Sequence, residues 1–392
     1  MVSDDKLKIC IIIPTKFSHK GGAENLVRDL ANELSTYSTV QIVCPCTIDE
    51  RKQEGRVQIF PILKTYNTNR REFLMNLVPN LLATYNYFRK ERPHVVNAHP
   101  SYPSGLFALP AKLLGIPIVG TAHGQDILMN RELDYGIRQQ VISAKFVEFT
   151  LTKFNLLTVV SKSLIPDAIS AGVDSSKIRV IYDGIDPNMR QMGRNTSTVQ
   201  RFKIADTDFV VLFVGRLMLV KKIDDLIRAF STVLESVPNA KLVIAGSGPE
   251  EANLKKLTTE LDLKDRVTFP GFVSGLDKDA LFARCDVFVL PSAVEAFGIS
   301  LIEAMAYEKP VIASNRGAFL EILQNEKTGI IVPVGAVDRI ASAIIRVYSN
   351  EAFRKQLGKE ARKDVEKRFS ISKIARDYMQ VYRELVSNVS GL

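Results

Sequence analysis

The sequence predicts an α/β protein built from two doubly wound parallel-sheet domains in series. Short apolar runs rich in Val and Ile recur along its 392 residues, without the alternation typical of strands that have one face in water. Segments with helical spacing separate these runs, as parallel strands require. The chain is also long enough for two domains, each with its own core.

The first half contains five predicted strands and at least one clear helix. The predicted strands are 8–14, 40–44, 95–98, 116–121 and 156–160. Leucines recur at every fourth position from Leu26 to Leu34, so the segment 23–34 is predicted to be a helix with one buried face.

The second half repeats the arrangement with six predicted strands. They are 209–215, 241–245, 266–270, 286–290, 310–314 and 329–333. The polar stretch 187–199 lacks an apolar period and indicates a linker. The predicted domains are therefore 1–187 and 188–368, and the amphipathic segment 369–392 is predicted to form a helix that packs back on the first domain.

Composition narrows the class of protein. Apolar residues make up 46% and charged residues 24%, as in an ordinary globular protein. The net charge of +9 is spread over both halves, with no dense basic block of the kind that binds nucleic acid. The apolar run 9–13 is too short for a signal peptide, and no run is long enough to span a membrane, so we expect a cytoplasmic protein, with peripheral contact at the inner membrane surface left open.

The four cysteines do not indicate a metal or redox site. Three of them lie in apolar, strand-like runs, where a thiol behaves as a small hydrophobic group. Cys44 and Cys46 lack the spacing and partners of a zinc or redox pair, and the four histidines show no metal-binding spacing. We therefore predict no metal site.

The residues suited to chemistry follow predicted strands. In open parallel sheets, ligands bind beyond the carboxyl ends of the strands, so this coincidence in both halves predicts a cleft lined by both domains. Gly21 and Gly22 follow the first strand and could let the backbone approach a ligand, or they could form a plain turn. Gly246 and Gly248 suit a nucleotide contact but lack the third glycine of a dinucleotide fingerprint.

Charged residues after three strands are the strongest candidates. Arg216 and Lys221 share one loop and could bind a pyrophosphate, although a solvated basic loop is an equal alternative. Glu295 and Glu303 are eight residues apart, the second inside a predicted helix. His123 lies in a loop after the strand 116–121, where it could contact a sugar hydroxyl or carry a proton, or be structural.

These motifs resemble those of the retaining family-4 glycosyltransferases, also called glycosyl transferases group 1, which have the GT-B fold of two Rossmann-like domains. The resemblance covers nearly the whole second half. It includes the segments 213–217 with Lys221, 243–249, 271–273 and 295–305, the last being the family's E-x7-E signature. The first half agrees more loosely, through segments at 21–24, 123–126, 160–161 and 184–186.

The resemblance implies a retaining hexosyl- or glycosyltransferase of carbohydrate biosynthesis that takes a UDP-, GDP- or ADP-sugar as donor. Its acceptor would be a glycan, a lipid-linked intermediate or a small molecule, and neither a cofactor nor a metal would be required. Catalytic roles would fall to Glu295, His123, Arg216 and Lys221. The donor would be bound by a set that also includes Gly21, Gly22, Gly246, Gly248, Phe297, Gly298, Ile299 and Glu303.

By resemblance, Glu295 would contact the transferred sugar, Glu303 the ribose, and Arg216 with Lys221 the diphosphate. Two positions depart from the family pattern. Lys222 stands where glycine commonly follows the lysine, which leaves open whether Lys221 or Lys222 contacts phosphate. Asp183 stands where asparagine commonly precedes Gly184, near the domain boundary and, we expect, away from the chemistry.

Two other readings of the chain remain open at this stage. A nucleotide-sugar epimerase or a phosphorylase can use related folds, and a catalytically inactive subunit would bind nucleotide sugar only.

Residues 70–92 carry basic side chains around an apolar centre. This segment could lie on anionic lipid, or it could be an ordinary helix covering the sheet and interrupted near Pro79.

Overall fold

The computed structural model describes residues 6–15, 22–45, 53–64, 70–188 and 196–390. The chain divides into two compact units. The first contains residues up to Gly184 together with Ile371–Leu392, and the second contains Ile185–Ser370. Gly21 and Cys46 lie outside the described residues.

The first unit is a sheet with helices between its strands. Its strands are β1 (Lys8–Ile12), β2 (Thr39–Pro45), β3 (Gln53–Glu54), β4 (Val57–Leu63), β5 (Val95–Ala98), β6 (Ile118–Ala122), β7 (Leu156–Val159) and β8 (Ile178–Val180). Its helices are α1 (Gly22–Leu34), α2 (Arg70–Glu91), α3 (Ser104–Ala108), α4 (Val141–Thr152) and α5 (Ile165–Ser170), with α14 (Ile371–Ser390) returning from the end of the chain. Within the described ranges the strand order is β3-β4-β2-β1-β5-β6-β7-β8, and every pairing is parallel except that of β3 with β4.

The second unit is a wholly parallel sheet in the part of the chain described. Its strands are β9 (Phe209–Val214), β10 (Ala240–Ala245), β11 (Val267–Gly271), β12 (Val287–Leu290), β13 (Val311–Ser314) and β14 (Ile330–Val332). Its helices are α6 (Thr196–Arg201), α7 (Ile223–Ser236), α8 (Glu251–Glu260), α9 (Leu276–Arg284), α10 (Ile299–Ala306), α11 (Phe319–Ile322), α12 (Val337–Ser349) and α13 (Glu351–Arg368). The strand order is β11-β10-β9-β12-β13-β14.

The predicted α/β class with two doubly wound parallel sheets is confirmed, and the six strands predicted in the second half correspond to β9–β14. Three strands of the first sheet, β3, β4 and β8, were not predicted. In β4 the burial alternates only partly and Pro61 interrupts the pattern, so the sequence signal is weak. The strands β3 and β8 have two and three residues, too few to show any period.

Helix α2 differs from the expectation that it breaks near Pro79. It runs continuously over Arg70–Glu91 with Pro79 inside it. The next residue, Asn80, is buried, and its side chain accepts a hydrogen bond from the Lys64 backbone N–H at 2.7 Å and donates to the Lys64 carbonyl at 3.1 Å. These bonds fasten the helix to the end of β4 beside the proline.

Three cysteines lie in the cores, as predicted. Cys10, Cys44 and Cys285 are buried free thiols. Burial raises the pKa of Cys10 and of Cys285 to about 12, so these thiols are protonated and unreactive at neutral pH. No helix in the described residues has the length and apolar content needed to cross a lipid bilayer.

The C-terminal helix α14 is part of the core of the first unit. Ile374, Tyr378 and Tyr382 are buried in the same apolar cluster as α1 and the central strands. Two of these side chains carry a hydroxyl into that cluster. The Asn97 side-chain amide on β5 donates to the Tyr382 hydroxyl at 2.6 Å, and Thr121 on β6 hydrogen-bonds to Asn97 at 3.0 Å. The helix is therefore fixed in register by a buried hydrogen bond as well as by apolar packing.

Replacing Tyr382 by phenylalanine should destabilise the first unit. The variant keeps the ring but leaves the buried Asn97 amide without its acceptor, which costs about 1–3 kcal/mol of unfolding free energy. Calorimetric unfolding of the wild type, Tyr382→Phe and Tyr348→Phe measures this, the last being a control because Tyr348 is 37% exposed. Equal unfolding temperatures for the two variants would show that this bond contributes nothing.

Candidate functional site

The second sheet has its topological switch point between β9 and β12. The chain moves from β9 to β10 and β11 on one side and then returns to β12, β13 and β14 on the other. Loops at the carboxyl ends of two such strands diverge and leave room for a ligand. Arg216 and Lys221 follow β9, Glu295 follows β12, and α10 begins just beyond, so the predicted charged residues of this half share one edge of the sheet.

The first pair at this edge joins the two central loops. Lys221 Nζ donates to Glu295 Oε2 at 2.5 Å, and both side chains are largely shielded from water. Ser292 Oγ donates to the same oxygen at 3.3 Å. Arg216 is exposed in the β9 loop. Glu295 is thus oriented by a cation from the neighbouring strand.

The second pair was not predicted from the sequence. Lys278 on α9 donates to Glu303 Oε1 on α10 at 2.6 Å, and Glu303 is buried. Burial raises the pKa of Glu303, while Lys278 acts in the opposite direction. A buried glutamate on a helix signals that a cation must be near, but only the packing of α9 against the sheet identifies which lysine supplies it.

Two of the predicted donor-binding glycines are required by backbone packing. A Cβ on Gly246 would lie 1.8 Å from the Gly215 carbonyl oxygen, and one on Gly248 would lie 2.2 Å from the Leu217 carbonyl oxygen. The Leu217 N–H also donates to the Ser247 carbonyl at 2.9 Å. The β10 loop therefore braces the β9 loop that carries Arg216, which is a structural role compatible with a ligand contact.

The segment leading into α10 places its backbone, rather than its side chains, at the edge. Phe297 is buried, and its ring meets that of Phe369 at 5.6 Å between centroids. Gly298 adopts φ +101°, where a Cβ would also lie 2.8 Å from the Phe319 ring. Ile299 begins the helix. The N–H groups at this helix start offer donors to an anion.

In the first unit, Gly22 begins α1, and the predicted His123 follows β6. The Asp126 carboxylate accepts from the His123 and Gly124 backbone N–H groups at 3.0 and 2.9 Å, and also from Ser101. These bonds fix the loop. His123 Nε2 lies 3.1 Å from His99 Nδ1, and His123 Nδ1 lies 3.7 Å from Asp183 Oδ1, so both ring nitrogens face protein groups.

Among the residues that the structure describes, no group of three or more His, Cys, Asp or Glu side chains is arranged to bind a metal ion. The site in the second unit consists instead of lysines, glutamates and backbone N–H groups, with Phe272 60% exposed at the end of β11. In the sequence, Phe272 was notable only as part of the segment 271–273. Its exposed ring at this edge offers a flat apolar surface.

Comparisons with known proteins decide the family. Residues 195–364 match the family described as Glycosyl transferases group 1, and residues 20–189 match Glycosyltransferase Family 4. An uncharacterised glycosyltransferase of Methanocaldococcus jannaschii is 39% identical over 273 residues, which cover 68% of this chain and 69% of that protein. This chain belongs to the family-4 glycosyltransferases.

Solved structures support the fold of this glycosyltransferase. Sucrose-phosphate synthase of Thermosynechococcus elongatus superposes with a TM-score of 0.82 over 98% of this chain and 100% of that one, at 22% identity. The Anabaena protein HepE, solved with UDP and glucose, gives a TM-score of 0.76 at 20% identity over 96% and 100% of the two chains. The predicted GT-B fold is confirmed.

The first departure from the family pattern has a conformational consequence. Lys222 adopts φ +52°, in the left-handed region that favours glycine, and α7 begins at the next residue. This glycosyltransferase therefore keeps the backbone geometry that glycine allows, at a cost of about 1–2 kcal/mol for an L-residue. It is Lys221, on the preceding turn, that contacts Glu295.

The second departure is closer to the candidate site than expected. Asp183 Oδ1 lies 3.7 Å from Nδ1 of His123, a predicted site residue. Burial raises the pKa of Asp183 to about 8 and lowers the pKa of His123 to about 4. Burial and the neighbouring His123 also lower the pKa of His99 well below its usual value. The imidazole of His123 is therefore neutral at pH 7.

The pH dependence of stability should change in the Asp183→Asn variant. The folded state binds the Asp183 proton more tightly than the unfolded chain does, so wild-type stability from this group is lost as pH rises from about 4 to about 8. His123 has the opposite sign, since its lowered pKa makes stability rise from pH 4 to about 6.5. Asparagine removes only the first contribution, so the variant should gain stability relative to wild type by up to about 1.4 kcal/mol per pH unit across that window.

Unfolding temperatures of wild type, Asp183→Asn and Asp265→Asn between pH 4 and pH 8 measure this effect. Asp265 is an exposed carboxylate and serves as the control for loss of one charge. A pH-independent difference between Asp183→Asn and wild type would contradict the raised pKa of Asp183.

Proposed function

We propose that this protein transfers a sugar from a nucleotide-diphosphate-sugar donor to an acceptor hydroxyl, with retention of anomeric configuration and without a divalent metal. The observation that carries the proposal is the pair of lysine–glutamate contacts at the switch point of the second sheet. The complex of the similar Anabaena protein with UDP and glucose supports a nucleotide-sugar donor. The acceptor, a glycan, a lipid-linked intermediate or a small molecule, stays a prediction.

Lys221 and Arg216 are suited to the leaving diphosphate. When the bond between the anomeric carbon and the phosphate oxygen breaks, negative charge grows on the phosphate, and preorganised cations stabilise it. Lys221 has three N–H donors, so it can keep Glu295 and also donate to a phosphate oxygen. The backbone N–H groups at the start of α10 add to the same field.

Glu295 is suited to bind the transferred sugar. Lys221 and Ser292 occupy one of its oxygens, which leaves the other for a sugar hydroxyl. In the proposed reaction the acceptor oxygen bonds to the anomeric carbon on the face that the phosphate leaves, and the acceptor proton passes to a phosphate oxygen. Glu295 then positions the sugar and does not need to form a covalent intermediate.

Glu303 is suited to bind the ribose and Phe272 to stack on the base. Lys278 binds one oxygen of the buried Glu303 carboxylate, so its second oxygen can accept hydrogen bonds from two vicinal hydroxyls. Phe272 at the end of β11 lies at the same edge. In the first unit His123, whose two ring nitrogens face His99 and Asp183, stays a predicted site residue.

The direct test is transfer itself. UDP-, GDP- and ADP-sugars are first screened by thermal shift, and a binding donor is then incubated with candidate acceptors. The expected result is donor-dependent glycosylation of an acceptor, with the new linkage retaining the anomeric configuration in the proton NMR spectrum. Interconversion of the donor sugar without an acceptor would indicate an epimerase, and nucleotide binding without any chemistry would indicate an inactive subunit.

Transfer should continue after divalent metals are removed. Lys221 and Arg216 supply the positive charge near the leaving group, so we expect turnover in excess EDTA to equal turnover with added Mg²⁺ or Mn²⁺ within about twofold. The measurement is the initial rate in both conditions with the same donor. Activity that disappears in EDTA and returns with metal would contradict the proposal.

Substitution of the two glutamates should affect different properties, nucleotide affinity for Glu303 and turnover for Glu295. Glu303→Gln weakens a charge-assisted hydrogen bond to ribose, so we expect the affinity for free nucleotide diphosphate to fall by roughly 1.4 kcal/mol, or about tenfold. Glu295→Gln should leave that affinity nearly unchanged and lower turnover, because Glu295 contacts only the sugar. Calorimetric titration and steady-state kinetics compare the two isosteric variants.

The reverse pattern would overturn the assignment of the two glutamates. If Glu295→Gln loses nucleotide affinity while Glu303→Gln keeps it, Glu295 must bind the ribose and Glu303 the sugar. Far-UV circular dichroism of both variants controls for folding, since each substitution removes one partner of a shielded ion pair.

A further inference from the structure

We propose that the outer face of the helical layer formed by α2, the 3₁₀ turn Leu109–Leu114 and α4 binds the surface of an anionic lipid bilayer. We call this surface the basic-apolar face. It lies entirely within the first unit and contains none of the second-unit residues on which the proposed transfer chemistry depends.

Helix α2 presents a stripe of apolar side chains to solvent. Leu74, Val78 and Leu82 follow one another at helical spacing and are 48%, 61% and 58% exposed, and Met75 beside them is 65% exposed. The opposite side of the same helix supplies the buried Phe88 and Thr84. The helix therefore covers the sheet with one side and leaves a second apolar side uncovered.

Arginines stand at both ends of this stripe. Arg71 and Arg89 are both exposed, and their separation of 18 positions, five turns of an α-helix, places them on the same side of it, about 27 Å apart along its axis. Lys90 is exposed beside Arg89. An apolar strip with cations at its ends and flank matches a helix that lies in the plane of a lipid surface.

Two neighbouring segments extend the face. The steps from β4 to β5, from β5 to β6 and from β6 to β7 all advance in one direction along the sheet, so right-handed connections place α2, the turn and α4 on one side of it. The turn packs beside α2, and Lys112 Nζ on the turn donates to the Lys153 carbonyl at the end of α4 at 2.7 Å. The three segments are therefore contiguous.

The added segments have the same chemistry as α2. Leu113 on the turn is 80% exposed, and Val141 and Phe149 on α4 are 72% and 52% exposed. Lys145 is exposed between those two residues of α4, and Lys153 Nζ lies 5.3 Å above the Phe149 ring. Each of the three segments therefore carries both exposed apolar and exposed basic residues.

The charge of the basic-apolar face favours an anionic lipid surface over a second copy of the chain. Among the described side chains of these segments, the exposed charged residues are all basic, whereas Glu72, Glu91 and Glu148 are half-buried. Glu91 lies 3.7 Å from Lys8, and Glu148 lies 3.2 Å from Arg138. A second copy docked symmetrically would bring like charges together, whereas phosphate head groups would neutralise them and acyl chains would receive the apolar side chains.

Vesicle binding by the full chain tests the proposal. The wild type should co-sediment with vesicles of phosphatidylglycerol and phosphatidylcholine, less so at high salt, and weakly with phosphatidylcholine alone. Arg71→Gln with Arg89→Gln should weaken partitioning about 30-fold, since each basic residue contributes about 1 kcal/mol at such a surface. Lys256→Gln with Lys355→Gln removes the same charge from exposed sites in the second unit and should bind as the wild type does.

A second pair of double variants tests the apolar part of the basic-apolar face. Val78→Asp with Leu82→Asp should abolish co-sedimentation, whereas Leu276→Asp with Leu320→Asp, at sites 57% and 59% exposed in the second unit, should not. Calorimetry with free nucleotide on every variant shows whether the donor site is intact, and unchanged nucleotide affinity separates this proposal from the proposed function.

Three results would overturn the proposal. One is vesicle binding that is equal for the face variants and their controls, because attraction would then depend on total charge alone. Another is a wild-type protein that does not co-sediment with anionic vesicles at low salt. The third is a wild-type dimer in light scattering that Val78→Asp with Leu82→Asp converts to a monomer without any vesicle binding, which would assign the face to a second copy.

Discussion

The candidate site depends on the pairing of two shielded carboxylates with two lysines at one edge of a parallel sheet. Glu295 and Glu303 are too poorly hydrated to be left without cations, and Lys221 and Lys278 come from the neighbouring β9 loop and from α9. Each pair connects two segments that are far apart in sequence. The charges that suit a sugar nucleotide therefore also fix the loops that carry them.

Backbone packing supports the same edge. Gly246 and Gly248 let the β10 loop approach the β9 loop at distances that no side chain would permit. Gly317 does the same beside Glu295, because a Cβ there would lie 2.2 Å from the Glu295 carbonyl oxygen. Glycines that look like ligand contacts in a motif thus also hold the acidic and basic loops in place, and the two roles are compatible.

The first unit contains a network of buried polar groups within its apolar core. Thr121 on β6 connects Asn97 on one side with Thr158 on the other, and Tyr378 and Tyr382 from α14 close the network. Directly after β6, His123 is held between His99 and Asp183. Helix α14 is therefore hydrogen-bonded to β6, the strand that precedes the His123 loop. The packing of α14 and the position of that loop are thus connected through β6.

The sequence alone determined the class of fold, most strands and the motifs, because periodicity and turn chemistry are local properties. It identified the family through residues of the second half, and it located the leucine spacing of α1. It missed β3 and β8, which have only two and three residues, and β4, whose pattern Pro61 interrupts. It also predicted an interruption of α2 near Pro79, where Asn80 anchors the continuous helix to the end of β4. Only the tertiary structure paired Lys278 with Glu303 and brought Asp183 to His123, because those contacts join segments 25 and 60 residues apart through strand order, which no local pattern specifies.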